Sequence, residues 1–123
     1  MNFDPVSHAV IGAALEVHKA LGPGLLESAY QRCLALELES RGVRFRREVP
    51  IPLRFRGVKV DASYRADFIC EEVLIVEVKS VQKLEGIHRA QLLTYLKLTS
   101  IRTGLLINFN VQRLSSGTMR LVR

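Results

Sequence analysis

Apolar and polar positions repeat with two different periods along this chain, and the change falls near Val43. Before it, Val6, Val10, Ala13, Ala14, Val17 and Leu21 recur at helical spacing. Asp4-Pro5 reads as the start of that helix, with Asp as N-cap and Pro in the first turn; Gly22-Pro23 reads as its end. The spacing of Leu26, Tyr30, Cys33 and Glu37, widened by Leu25, Ala29 and Leu36, predicts a second helix over 24–40, closed by Arg41-Gly42. From Val43 the period is two. Val43, Phe45 and Arg47 alternate with Arg44, Arg46 and Glu48, and Pro50 and Pro52 mark an edge region. Leu53 and Phe55 alternate with Arg54 and Arg56, Gly57 turns the chain, and 58–60 forms a short return strand. Strands are predicted over 64–70 and 73–79, antiparallel, around a turn at Glu71-Glu72.

A helix follows over 86–99, with Ile87, Ala90, Leu93 and Leu96 or Lys97 on one stripe and Gln91, Tyr95 and Leu98 on the next. The apolar run 103–109 reads as a buried strand, 115–117 as a turn and 118–122 as a last strand. Strand, helix, strand over this length is a crossover unit, which predicts that 73–79 and 103–109 run parallel. The fold class is therefore α/β, in the α+β mixed-sheet sense: N-terminal helices, an antiparallel meander, then a strand-helix-strand crossover, in one domain over 1–123.

Composition adds a net charge of +6 over 123 residues, and most of the eighteen cations are arginine. With a pI of about 9.8, this raises the weight of a polyanion partner. Arg41, Arg44, Arg46, Arg47, Arg54, Arg56 and Arg65 crowd one third of the chain. Arg44 with Arg46, and Arg54 with Arg56, share strand faces, so these four and Arg65 are candidates for tracking nucleic-acid phosphates; the plainer reading is a solvated outer face. No apolar run approaches the roughly 20 residues of a membrane span. The N-terminus lacks the basic flank of a secretory leader. Cys33 and Cys70 have no zinc spacing and fit buried thiols in a cytoplasmic protein.

The candidate chemistry lies in Arg65–Ser80, RADFICEEVLIVEVKS. Glu77 and Lys79 close an apolar strand and point to the same face, since strand side chains alternate. With Asp67 they suggest a site that holds a metal ion and activates water. That pairing sets a geometric condition. A two-residue Glu71-Glu72 turn would pair Asp67 with Val76 and put Asp67 and Glu77 on opposite faces. A shared site requires an odd connection, such as 71–73, or a bulge or bend near Asp67.

Asp67, Glu77 and Lys79 form the D-x(n)-(D/E)-x-K pattern, and here the chain resembles the PD-(D/E)XK nuclease superfamily, with Ala66 where proline often precedes the acid. Gly24–Tyr30, GLLESAY, looks like the GxxExxY signature of one branch of that superfamily. Gln91–Tyr95, QLLTY, is similar to the QxxxY helix motif of RecB-type and lambda-type exonucleases. The resemblance implies a restriction-endonuclease-like core. It implies a magnesium-dependent nuclease, with manganese as a substitute, acting on DNA in preference to RNA. Asp67, Glu77 and the Val78 carbonyl would be metal ligands, with Glu27 reaching the same ion directly or through water. Lys79 would position the attacking water or stabilise developing charge, Gln91 would orient a water or ligand, and Tyr95 would contact phosphate or hold the site. So small a core would work with a homodimer mate or another partner protein. The alternative is a nucleic-acid-binding or protein-interaction module that keeps the nuclease fold with weak or no turnover. Singly, each residue has a plainer reading: Glu77 and Lys79 as a surface ion pair, Glu27 as a helix N-terminal acid, Gln91 and Tyr95 as a packing pair.

Overall fold

A computed structural model describes residues 4–123, and among these the order of elements is α1 (Pro5–Leu21), α2 (Glu27–Ser40), β1 (Phe45–Pro50), β2 (Leu53–Phe55), β3 (Val58–Val60), β4 (Arg65–Cys70), β5 (Leu74–Lys79), α3 (Gly86–Thr99), β6 (Thr103–Asn108), a 3-10 turn (Leu114–Gly117) and β7 (Thr118–Val122). Five strands form a mixed sheet in the order β1-β4-β5-β6-β7, and β2 and β3 form a separate ribbon. β5 and β6 are parallel across the α3 crossover; the other pairs are antiparallel. This is a mixed α/β architecture with a restriction-endonuclease-like arrangement, as expected.

The helix ends follow local chemistry. The Asp4 carboxylate accepts from the Ser7 amide at 2.8 Å and from the Ser7 hydroxyl at 2.7 Å, capping α1. At its other end Gly22, at φ 66°, donates to the His18 carbonyl. α2 starts at Glu27, three residues later than the apolar spacing predicts. Gly24 sits at φ 102°, a conformation that cannot open a helix. Leu26 is 77% exposed and Leu36 67%. The buried face of α2 is Tyr30, Leu34, Ala35 and Leu38.

The sheet is covered on both sides. α1 and α2 pack with Phe68, Cys70, Leu74, Val76 and Val78 on one face, where Tyr30 stacks on Phe109 at 4.7 Å between ring centres. α3 covers Ile75 and Leu106 on the other with Leu92, Tyr95 and Leu96. The stripe of α3 that points inward is thus not Ile87–Ala90–Leu93: Ile87 is 72% exposed. Gly104 explains the choice, because a β-carbon there would meet the Leu92 side chain at 2.9 Å. The absent side chain on β6 admits Leu92 and sets the rotation of the helix.

Gly117 has a stricter role. A β-carbon on it would run into the backbone carbonyl of Asn108, a buried residue whose amide bonds both the N–H and the carbonyl of Val81 at 3.1 and 2.9 Å. Gly117→Ala should therefore cost about 1–3 kcal/mol of stability, as overpacking against backbone does. Urea denaturation checks this; an unchanged midpoint would show that the turn adjusts freely.

Candidate active site

The site is built where β4 loses its neighbours. β4 and β5 pair as Cys70↔Leu74, Ile69↔Ile75 and Phe68↔Val76. The connection is the three residues 71–73, the odd count that the shared-site condition demands, and Val73 belongs to the turn. Continued by one step, this register sets Asp67 opposite Glu77. There the backbone ladder gives way to side chains. The Asp67 amide donates to Glu77 Oε2 at 2.7 Å, and the Val78 amide donates to Asp67 Oδ2 at 2.8 Å.

On its other side β4 pairs with β1 from Phe45↔Cys70 to Arg47↔Phe68 and again from Val49↔Ala66 to Pro50↔Arg65. The missing pair is Glu48 and Asp67, and Glu48 has φ 49°, a left-handed value that a glutamate rarely adopts. The interior faces change over at this point. Phe45 and Phe68 join the core under α1 and α2, whereas Val49 and Ala66 join the core under α3. The strand bends at Asp67, so both irregularities that could unite the two carboxylates are present.

The turn that sets this register is held from β1. Glu71 and Glu72 both take positive φ, 51° and 57°. Arg44 donates its amide and its guanidinium to Glu71, at 2.8 to 3.1 Å, and Arg46 makes a two-pronged contact with Glu72 at 2.8 Å. Arg44 and Arg46 thus stand at the turn end of the hairpin, committed to carboxylates. Arg54 and Arg56 are exposed on the β2–β3 ribbon, Arg56 lying over the Phe55 ring at 5.2 Å. Arg65 is exposed and reaches the Glu48 carbonyl at 3.4 Å. It is two residues from Asp67.

Burial dominates the electrostatics. Glu77 is 3% exposed. Burial first, and the charge of Asp67 second, push its carboxyl up to about 8, against the opposing pull of the Asp67 amide and the Lys79 ammonium. Burial likewise raises Asp67, with the Val78 amide and Lys79 pulling back and the charges of Glu27 and Glu48 adding to the rise. Two desolvated acids that repel each other are an arrangement a cation would relieve.

Glu27, the first residue of α2, is half-buried, and its charge acts on both carboxylates. A hydrogen bond from Ser80 Oγ to the Leu25 carbonyl at 2.6 Å ties the segment before α2 to the end of β5. Tyr95 arrives from α3. Burial raises its hydroxyl, as do the charges of Glu77 and Asp67, while a hydrogen bond from the Arg65 backbone works the other way. Gln91, one turn earlier, lines a groove beside Tyr95. His18 is a packed residue whose Nε2 bonds the Val111 carbonyl at 2.7 Å. Cys70 is buried and Cys33 half-buried, both as free thiols.

Two residues that face the site escaped the sequence reading. Glu48 carries a strand-ladder signal, since it is one step from residues that pair with β4. Tyr64, predicted as the first residue of a strand that in fact begins at Arg65, abuts Tyr95 with ring centres 6.3 Å apart, a contact with α3 that strand periodicity does not signal.

Among the described residues, no group of three or more His, Cys, Asp or Glu side chains gathers closely enough to clasp an ion. The donors at hand are two carboxylates and backbone oxygen. That set suits a hard divalent cation that keeps several waters. No helix of the described residues is long and apolar enough to cross a membrane. In comparisons with known proteins, a family model described as PD-(D/E)XK nuclease superfamily matches residues 4–121. No curated protein and no solved structure matches the chain.

Proposed function

The chain belongs to the PD-(D/E)XK nuclease superfamily, and from that premise we propose that it is a magnesium-dependent nuclease that hydrolyses phosphodiester bonds, in DNA before RNA. The observation that carries the proposal is the exchange between Asp67 and Glu77. Each carboxylate spends one oxygen on a backbone amide of the facing strand, which fixes both groups in a desolvated gap with unfavourable charge.

Asp67 and Glu77 are the proposed ligands. Val78 directs its amide to Asp67, and since a strand residue's N–H and C=O point to the same neighbour, its carbonyl faces that gap as a third oxygen donor. Glu27 supplies a further carboxylate from α2, through water. When bound, magnesium, or manganese in its place, sets positive charge against the phosphate and makes water acidic enough to attack near neutral pH. Lys79 shares the Glu77 face of β5 and orients the attacking water or steadies the developing negative charge. Gln91 orients a water from α3, and Tyr95 holds the rim and reaches a phosphate oxygen. Arg54, Arg56 and Arg65 bind flanking phosphates, and Arg44 and Arg46, each engaged with a glutamate of the β4–β5 turn, add less positive charge to that role. Two free thiols fit the cytoplasm, and the small size fits a homodimer or a partner protein.

Calorimetric titration with magnesium and manganese, paired with cleavage assays on single- and double-stranded DNA and RNA, tests the proposal. Saturable binding with chelator-sensitive cleavage is expected. Binding without cleavage of any of these would favour a nucleic-acid-binding module, and absence of binding would remove the metal site.

A further inference from the structure

Beside the two carboxylates lies a groove of about 440 Å³, walled by α3 on one side and by the segment entering β4 on the other. Its volume falls within the roughly 300–1,000 Å³ of small-molecule sites. Tyr95 belongs to both places: it lines the groove, and its hydroxyl feels the charges of Glu77 and Asp67. We propose that this groove takes one unpaired nucleobase, from the nucleotide next to the scissile phosphate. The inference rests on the nuclease reading and adds to it a substrate preference, for single strands or splayed ends.

The lining has the composition a base needs. Tyr64 is 42% exposed and Ile87 72%. Both line the groove and offer it an aromatic face and an apolar surface, costly to leave in water and sequence-tolerant as a stacking site. The ring of Tyr64 is inclined at 60° to that of Tyr95, so the two do not stack on each other and Tyr64 keeps a face for a ligand. Polar atoms come from Gln91, Thr94 and His88. His88 Nδ1 accepts the Glu85 amide at 2.9 Å, so in the neutral ring the proton resides on Nε2, which is a donor for a base carbonyl or ring nitrogen. Arg65 follows Tyr64 directly, is exposed and precedes Asp67 by two residues, so the segment that joins the groove to the carboxylates carries a cation. A base still paired in a duplex presents only its edges and cannot enter such a slot.

The test uses the Asp67→Asn protein with magnesium, so that binding is read without cleavage. Short single-stranded DNAs each carry one 2-aminopurine at successive positions. Quenching of the fluorophore at one position is expected. Tyr64→Ala and, on α3, Ile87→Glu should each remove that quench and weaken binding roughly tenfold; Tyr64→Phe should retain both. Both sites are surface-exposed, so the variants should fold. Quenching at no position, or quenching that survives both Tyr64→Ala and Ile87→Glu, overturns the base site. If wild-type protein still cleaves in that case, the nuclease reading stands alone. If it neither binds nor cleaves any nucleic acid, both fall together.

Discussion

Asp67→Asn and Glu77→Gln should each lower magnesium-dependent cleavage by about a thousandfold or more, while the protein stays folded. The size follows from the chemistry: losing one anionic ligand forfeits several kcal/mol of charge stabilisation at the phosphate, and roughly 4 kcal/mol is a thousandfold in rate. The survival of the fold follows from geometry. Asp67 accepts the Val78 amide and Glu77 accepts the Asp67 amide. Asn and Gln each keep a carbonyl oxygen of the same reach, so both bonds persist and only charge is removed. Circular dichroism and a single-turnover assay on the same preparations separate the two effects. Cleavage within tenfold of wild type in both variants would place the chemistry elsewhere. Lys79→Ala makes a useful third variant, because it should retain metal binding in calorimetry while losing turnover.

That prediction was accessible from the chain itself because the decisive geometry is a matter of parity. Asp67 and Glu77 can share a face only across an odd connection or a bend, and the structure has both. Helix boundaries set by local chemistry were equally legible: Asp4-Pro5, Gly22-Pro23 and the limits of α3 all coincide with the observed ends. What escaped was decided by partners distant in sequence. Leu25 and Leu26 look like helix residues, yet they lie in a connection tied to Ser80. Neither apolar stripe read on α3 contains Leu92, whose inward position between Tyr95 and Leu96 of the two stripes is settled by Gly104 from β6. Arg44 and Arg46 resemble Arg54 and Arg56 in pattern, but only the first pair meets glutamates 27 and 26 residues away. Those contacts are exposed and screened by solvent, so each contributes little to stability, but they brace the turn that brings Asp67 level with Glu77.

The metal-free protein should lose stability as pH rises from about 5 to 8, and a divalent cation should reverse the loss. Glu77 titrates at 4.5 in the absence of structure and at about 8 in the fold, with burial as the main cause. A raised carboxyl means that the folded state prefers the protonated form. The stability this provides is full below the unfolded value near 4.5. It falls by at most about 1.4 kcal/mol per pH unit above that value and is gone once pH passes the folded value. Asp67 is raised too and adds to the same trend. Glu77→Gln carries no such charge, so its melting temperature should decline less over this range and exceed that of wild type at pH 8 and above. The cation acts in the opposite sense because it binds the ionised pair. Below pH 8 its binding must expel the Glu77 proton, so affinity should rise with pH and level off above 8. Thermal melts of both proteins with chelator and with magnesium give the stability arm. Calorimetry in two buffers of different ionisation enthalpy gives the proton count. Parallel pH profiles for wild type and Glu77→Gln, with no proton released on binding, would mean that the Glu77 carboxyl is already ionised in the fold and that the buried pair does not await a cation.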